Sequence, residues 1–239
     1  MVNIDTVYQR VLVFANKEQR GYITPQEFNL FANQAQSDIF EQYFYDINIA
    51  RKGQGNDTVY ADIDDILEQK LQIFEEVDGQ GAINAYDNAG GGGINKVLPD
   101  YVYRVTRVEY NNIECEILST KDFKNVQSAG YLVAPSVMRP IVNIRNNQIR
   151  CVAGINNKVT PTGIFYFRIP TPVRWGYIVM NKQAMYDNTK STNFELHVSE
   201  QVQLVNKILR LAGISIKQTD ITQAGQGMDM VTLQQQPKI

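Results

Sequence analysis

The chain reads as α+β: N-terminal helices, a central antiparallel β sandwich or barrel, then a C-terminal helix and an extended tail. Three observations predict this order. Apolar residues recur at helical spacing over 4–15 and 28–47. Short alternating runs, separated by Asn-Asn and Pro-Thr-Pro turns, fill the stretch from 101 to 179. A last apolar stripe runs from Val202 to Ala212, and no packing pattern follows it.

In the first helix, Ile4, Val7, Tyr8, Val11, Leu12, Phe14 and Ala15 form one stripe, and 17–21 ends it with Gly21 after the last turn. Thr24-Pro25-Gln26-Glu27 opens the second helix. Thr24 caps, Pro25 suits the first helical position, and Glu27 completes a capping box. Its stripe of Phe28, Phe31, Ala32, Ala35, Ile39, Tyr43 and Ile47 is widened by Phe40 and Phe44. The helix should reach about Ala50, closed by Arg51-Lys52-Gly53. A shorter acidic helix carries Ile63, Ile66, Leu67, Leu71 and Phe74. After Val77 the composition turns loop-like, with four consecutive glycines at 90–93.

Residues 101–110 and 113–118 read as a hairpin about Asn111-Asn112. On the first strand, simple alternation puts Val102, Arg104, Thr106 and Val108 on one face. Further strands are expected at 141–144, 148–152, 163–169 and 175–179, and a brief one at Phe194, Leu196 and Val198. Ser199 caps the last helix, which Gly213 ends. The expected organisation is therefore a helical region over 1–98 with its Gly-rich loop, a β region over 99–198, a helix over 199–216 packing back on the helical region, and a tail over 217–239. The tail lacks an apolar face and should order only on a partner.

With 44% hydrophobic and 20% charged residues the composition is that of a folded globular chain. No apolar run approaches the roughly 20 residues that span a bilayer, so no membrane partner is expected. The first residues carry no basic region followed by an apolar one, so no secretory signal is expected. A net charge of −2 conceals a split. Residues 1–122 hold twenty acids and ten basic residues, whereas Lys124 to Lys182 holds eight basic residues and no acid. One face should then be basic and another acidic, which suits head-to-tail packing of identical subunits.

Catalytic motifs are missing. His197 is the only histidine, and beside Leu196 and Val198 it reads as a packing or capping residue. One His and two Cys cannot make a usual zinc site. Gly90 to Lys96 fails the phosphate-loop pattern, because Lys96 follows Asn95 and precedes Val97. Asp62, Asp64, Asp65 and Glu68 read as an acidic face. Cys115 and Cys151 are most simply small buried hydrophobes in a reducing compartment, with a disulfide as the lesser alternative. Arginines interleave with aromatics at 165–168 and 174–177, as in some nucleic-acid binders, but the pI of about 5.5 argues against a dedicated DNA binder. The chain is expected to be no enzyme and to hold no cofactor.

Two stretches carry a resemblance. One is Arg20-Gly21-Tyr22-Ile23-Thr24-Pro25-Gln26-Glu27-Phe28-Asn29. The other is Asn193-Phe194-Glu195-Leu196-His197, followed by the helix through Leu209 to Ala212-Gly213-Ile214. Arg174-Trp175-Gly176-Tyr177 also fits. Together they resemble virion structural proteins of tailed phages, in particular the head-to-tail connector or ring (adaptor) proteins of crAss-like short-tailed phages. The resemblance implies a homo-oligomeric ring of about twelve copies. That ring would be made in the host cytoplasm and would sit in the neck or tail of the virion. Its partners would be the portal protein, other neck or tail proteins, and genomic DNA passing through the channel without sequence specificity. Another tail component, such as a tail-tube, stopper or fibre-attachment protein, is the alternative. Candidate subunit or portal contacts are Arg168, Arg174, Trp175, Gln234, Gln235, Gln236 and Ile239. Arg139, Arg145 and Arg150 are candidate channel or partner-binding cations.

Overall fold

The computed structural model describes residues 1–17, 23–52, 58–79, 85–87, 94–129, 133–154, 157–181 and 183–215. The chain begins with α1 (Ile4–Lys17), α2 (Pro25–Lys52) and α3 (Thr58–Leu71). It continues through β1 (Glu75–Gly79), β2 (Ala85–Asp87), β3 (Ile94–Val97), β4 (Val102–Tyr110), β5 (Ile113–Glu114) and β6 (Glu116–Ile117). Next come α4 (Thr120–Ser128), β7 (Ile141–Arg145), β8 (Gln148–Val152), β9 (Lys158–Val159) and β10 (Gly163–Arg168). It closes with β11 (Tyr177–Met180), β12 (Gln183–Tyr186) and α5 (Gln201–Ser215). The fold is α+β, as expected, with open sheets and no closed barrel. No helix among the described residues is long and apolar enough to cross a membrane.

Two compact units divide the chain, and their bounds differ from those expected. One is Phe74–Ile169; the other joins Met1–Ile73 to Pro170–Ile239. The β unit therefore starts and stops earlier than 99–198. The cause is long-range pairing: β1 lies antiparallel along β10 from Glu75↔Phe167 to Gly79↔Gly163, so a segment that reads locally as the start of a loop belongs to a sheet. The expected tail over 217–239, with Gln234, Gln235, Gln236 and Ile239, lies outside the described residues, as do glycines 90–93.

In the helical unit, α2 packs on α3 and α5, and α1 on α5. The capping box forms. Thr24 N–H and Oγ1 both donate to Glu27 Oε2, at 2.9 and 2.8 Å, and Glu27 N–H donates back to Thr24 Oγ1 at 3.3 Å. Those bonds hold the Glu27 carboxyl below its ordinary range, the backbone donor foremost. The box thus helps at neutral pH and is lost as pH falls through the folded carboxyl's pKa.

Along α2, Phe28, Ala32, Ala35, Ile39, Phe40, Tyr43 and Ile47 are buried, whereas Phe31 and Phe44 are only half-buried. Phe31→Ala is accordingly expected to cost about 1–2 kcal/mol by chemical denaturation, well below the roughly 3–5 kcal/mol of a fully buried Phe. The same substitution at Phe28 should reach that larger value.

The opposite flank of α2 does unexpected work. Asn29 accepts from Trp175 N–H at 2.7 Å and donates to its carbonyl at 3.3 Å. Asn33 does the same at Val173, with distances of 2.8 and 2.9 Å. Gln36 donates to the Thr171 carbonyl at 2.9 Å and accepts from Glu195 N–H at 3.2 Å. Steps of four and three residues rise about 6 and 4.5 Å along a helix, against about 6.6 Å for two extended residues. Side-chain amides thus serve as a ladder for alternate residues of an extended segment.

In the β unit, one sheet has the order β1-β10-β4-β5, and the other β2-β3-β8-β7-β6 with β9 also on β8. All pairs are antiparallel except β6–β7. Leu98, Val108, Cys115, Val142, Ile149, Cys151, Val159, Ile164 and Tyr166 from both sheets share one core, which makes a sandwich. On the outer face of β7–β8, α4 buries Phe123 against Ile141 and Val152.

The Asn-Asn turns at 111–112 and 146–147 are tight hairpins with two left-handed residues. The φ values are 50° and 60° at Asn111-Asn112, and 52° and 56° at Asn146-Asn147. Simple alternation fails on β4. Register shifts between Phe165/Tyr166 and Phe167/Arg168 leave Thr106 and Tyr103 as extra residues on β4. Val102, Val105 and Val108 therefore turn to the core, while Arg104 and Thr106 stay exposed.

Candidate assembly interface

The ladder from α2 ends at Trp175, which anchors the β11–β12 hairpin. Trp175 is buried, and its Nε1–H donates to Asp5 Oδ1 at 3.0 Å. Its ring lies 4.2 Å from Tyr8, 5.8 Å from Tyr177 and 5.9 Å from Tyr186, centroid to centroid. Gly176 accepts Asp187 N–H at 2.9 Å and donates to Ser191 Oγ at 2.9 Å. A Cβ at Gly176 would stand 2.5 Å from the Lys190 carbonyl carbon, so only glycine fits this close approach.

Beyond this anchor the pairing runs Tyr177↔Tyr186, Ile178↔Met185, Val179↔Ala184 and Met180↔Gln183. Cross-strand partners share a face, so Ile178, Met180 and Met185 lie on one side and Val179 on the other. All four are exposed: Ile178 by 42%, Val179 by 67%, Met180 by 53% and Met185 by 52%. A two-stranded hairpin is marginal in water unless something else holds it. Here the aromatic base holds one end, and apolar side chains face solvent toward the other.

On the same unit, α1 and α5 form a groove of about 490 Å³ lined by Gln9, Arg10, Val13, Phe14, Val202, Val205 and Asn206. The inner stripe of α1, Ile4, Val7, Tyr8 and Val11, is fully used in the core. Val13 and Phe14 fall outside it and are 63% and 47% exposed, facing a groove that Val202, 62% exposed, also lines. The expectation that Phe14 joins the core stripe is corrected: its position turns it toward the groove.

No protein-family model matches this chain, and no curated protein matches its sequence.

The structure redistributes the residues expected at the interface. Trp175 is interior, so it organises the hairpin and is not a contact residue. Arg174 is exposed, its backbone bridged to Thr192. Arg168 is only 17% exposed at the side chain and pairs with Glu76 at 2.8 Å. Arg139 pairs with Glu116 at 2.9 Å. Arg150 stands 5.7 Å over the Phe123 ring, and Arg145 is exposed on the last residue of β7.

The charge split seen along the sequence is narrower when the charges are counted by unit. The β unit holds ten basic and nine acidic residues, net +1, and the helical unit thirteen and sixteen, net −3. Glu76 of β1 and Glu116 of β6 sit beside Arg168 and Arg139, which come later in the chain.

His197 has the capping role expected of it. It is the N-cap of the 3-10 turn Val198–Glu200 that leads into α5, and its Nδ1 accepts Ser199 N–H at 3.3 Å. His197 takes the place foreseen for Ser199. Among the described residues no group of three or more His, Cys, Asp or Glu could hold a metal ion.

A charged cluster joins α2, α3 and the start of α5. Lys70 Nζ lies 2.6 Å from Glu200 Oε1 and 5.7 Å over the Tyr43 ring. Burial, then the Glu200 charge, pushes the Tyr43 hydroxyl far up. Burial also raises Asp46, opposed by Lys70 and Lys207 and reinforced by Glu200. The pairing of these charges marks the cluster as an internal tie between helices.

Proposed function

We propose that this chain is a non-enzymatic structural protein of a tailed-phage virion, assembling head to tail into a homo-oligomeric ring in the neck. The ring would connect portal to tail and form part of the DNA channel. The observation that carries this reading is the pairing of surfaces on the helical unit. The groove between α1 and α5 is concave and apolar, and the β11–β12 hairpin is an apolar ridge. Two different patches that fit one another give a heterologous contact, which closes into a ring when the rotation closes. Ile178, Met180 and Met185 stand together on one face of the hairpin and form the ridge offered to such a groove on a neighbour. The resemblance of 20–29 and 193–214 to connector proteins supports the same role.

The test is native mass spectrometry with electron microscopy of the purified chain, alone and mixed with portal. Closed rings are expected. Met180→Glu and Val202→Glu, at exposed positions, should each abolish ring formation and leave the melting temperature within about 2 °C of the parent. A chain that stays monomeric in both settings rules the proposal out. Open filaments would favour the tail-tube role instead.

A further inference from the structure

The two cysteines of the chain, 36 residues apart in sequence, meet in the core of the β unit. Their Sγ atoms are 3.8 Å apart, and both residues are buried free thiols. Cys115 stands between β5 and β6, where one strand leaves the first sheet and enters the second. Its N–H donates to the Val108 carbonyl of the first sheet at 2.8 Å, while the next residue, Glu116, already registers with Ile141 of the second. Cys151 lies on β8, between Val142 of β7 and Val159 of β9. A bond between the two sulfurs would therefore tie the point of sheet exchange to the centre of the second sheet.

We propose that Cys115 and Cys151 are a latent intramolecular disulfide, reduced where the chain is made and closed when the protein meets an oxidising medium. The oxidant class is a low-molecular-weight disulfide. The thiolate of one cysteine attacks a sulfur of the oxidant, forms a mixed disulfide and expels one small thiolate. The other cysteine then attacks the protein sulfur of that mixed disulfide, forms the Cys115–Cys151 bond and expels the second small thiolate. The protein loses two protons and two electrons, and the oxidant is reduced to two thiols. The two sulfurs share one contact in which either can donate. Closure must bring the sulfurs from 3.8 Å to about 2.05 Å. The inference is independent of the proposed ring.

The test uses the full chain. Reduced protein is incubated with oxidised glutathione, and a second sample is refolded from denaturant in the same redox buffer so that burial does not limit access. Expected are a monomer lighter by about 2 Da, a 115–151 cross-linked peptide, and a rise in melting temperature of roughly 10 °C that dithiothreitol reverses. Cys115→Ala and Cys151→Ala should each remain folded and show no oxidant-dependent rise. Free thiols, two glutathione adducts or only inter-chain bonds in the refolded sample would overturn the assignment. So would an oxidant-dependent rise that persists in either alanine variant.

Discussion

Trp175→Ala is expected to cost about 3–5 kcal/mol and to lower the melting temperature by roughly 10 °C. The indole is 2% exposed and contacts Tyr8, Tyr177 and Tyr186, so its removal leaves a cavity among three rings. It also deprives the Asp5 carboxylate of its Nε1–H donor. Trp175→Phe separates the two losses: it keeps most of the ring volume and should cost about 1–2 kcal/mol. Differential scanning calorimetry of the pair checks both values. Near-parental stability of Trp175→Ala would mean that the hairpin anchor rests on the α2 amide ladder alone. Because the same indole holds β11 and β12 in place, the alanine variant should also fail to assemble, unlike a mere cavity elsewhere in the core.

The second large effect is expected at Glu200. Its side chain is 7% exposed and neutralises Lys70, itself 22% exposed, near the N-terminal end of α5. Glu200→Ala removes the paired carboxylate of Lys70, which is itself partly exposed and keeps Asp46 nearby, at a cost of about 1.5–3 kcal/mol. Replacing both partners of the Lys70–Glu200 pair by apolar residues of similar volume, Lys70→Met with Glu200→Leu, should recover part of the loss, with Lys207 left as the cation facing Asp46. Urea denaturation of the two single variants and the double one measures the coupling. Equal losses in the single and double variants would show that the pair contributes packing but no electrostatic tie.

How far the sequence could go is visible at α2. Thr24, Pro25 and Glu27 announce its start, because a capping box needs only local chemistry. Its core stripe was legible because apolar residues at helical spacing have one place to go. Asn29, Asn33 and Gln36 read as an ordinary polar face. Nothing local says that three amides will pair with a segment about 140 residues later, so the ladder was invisible. The helix α4 was missed although its signal was present: Ser119 and Asp122 form a box, with Oγ–Oδ2 at 2.6 Å, ahead of Phe123 and Val126.

The sequence by itself determined the α+β class, the start and buried stripe of α2, and the Asn-Asn turns at 111–112 and 146–147. Each of these depends on residues within a few positions of one another. Only the tertiary structure decided where the units divide, which face of β4 is buried, and which arginines are neutralised. Pairing of β1 with β10 moved the boundary to Phe74, two bulges rotated Val105 into the core, and Glu76 and Glu116 met Arg168 and Arg139. Those outcomes depend on contacts between distant segments, whose register no local pattern encodes. The same holds for the candidate interface. Phe14 and Val202 belong to apolar stripes in the sequence, and become surface because the core is already filled by their neighbours.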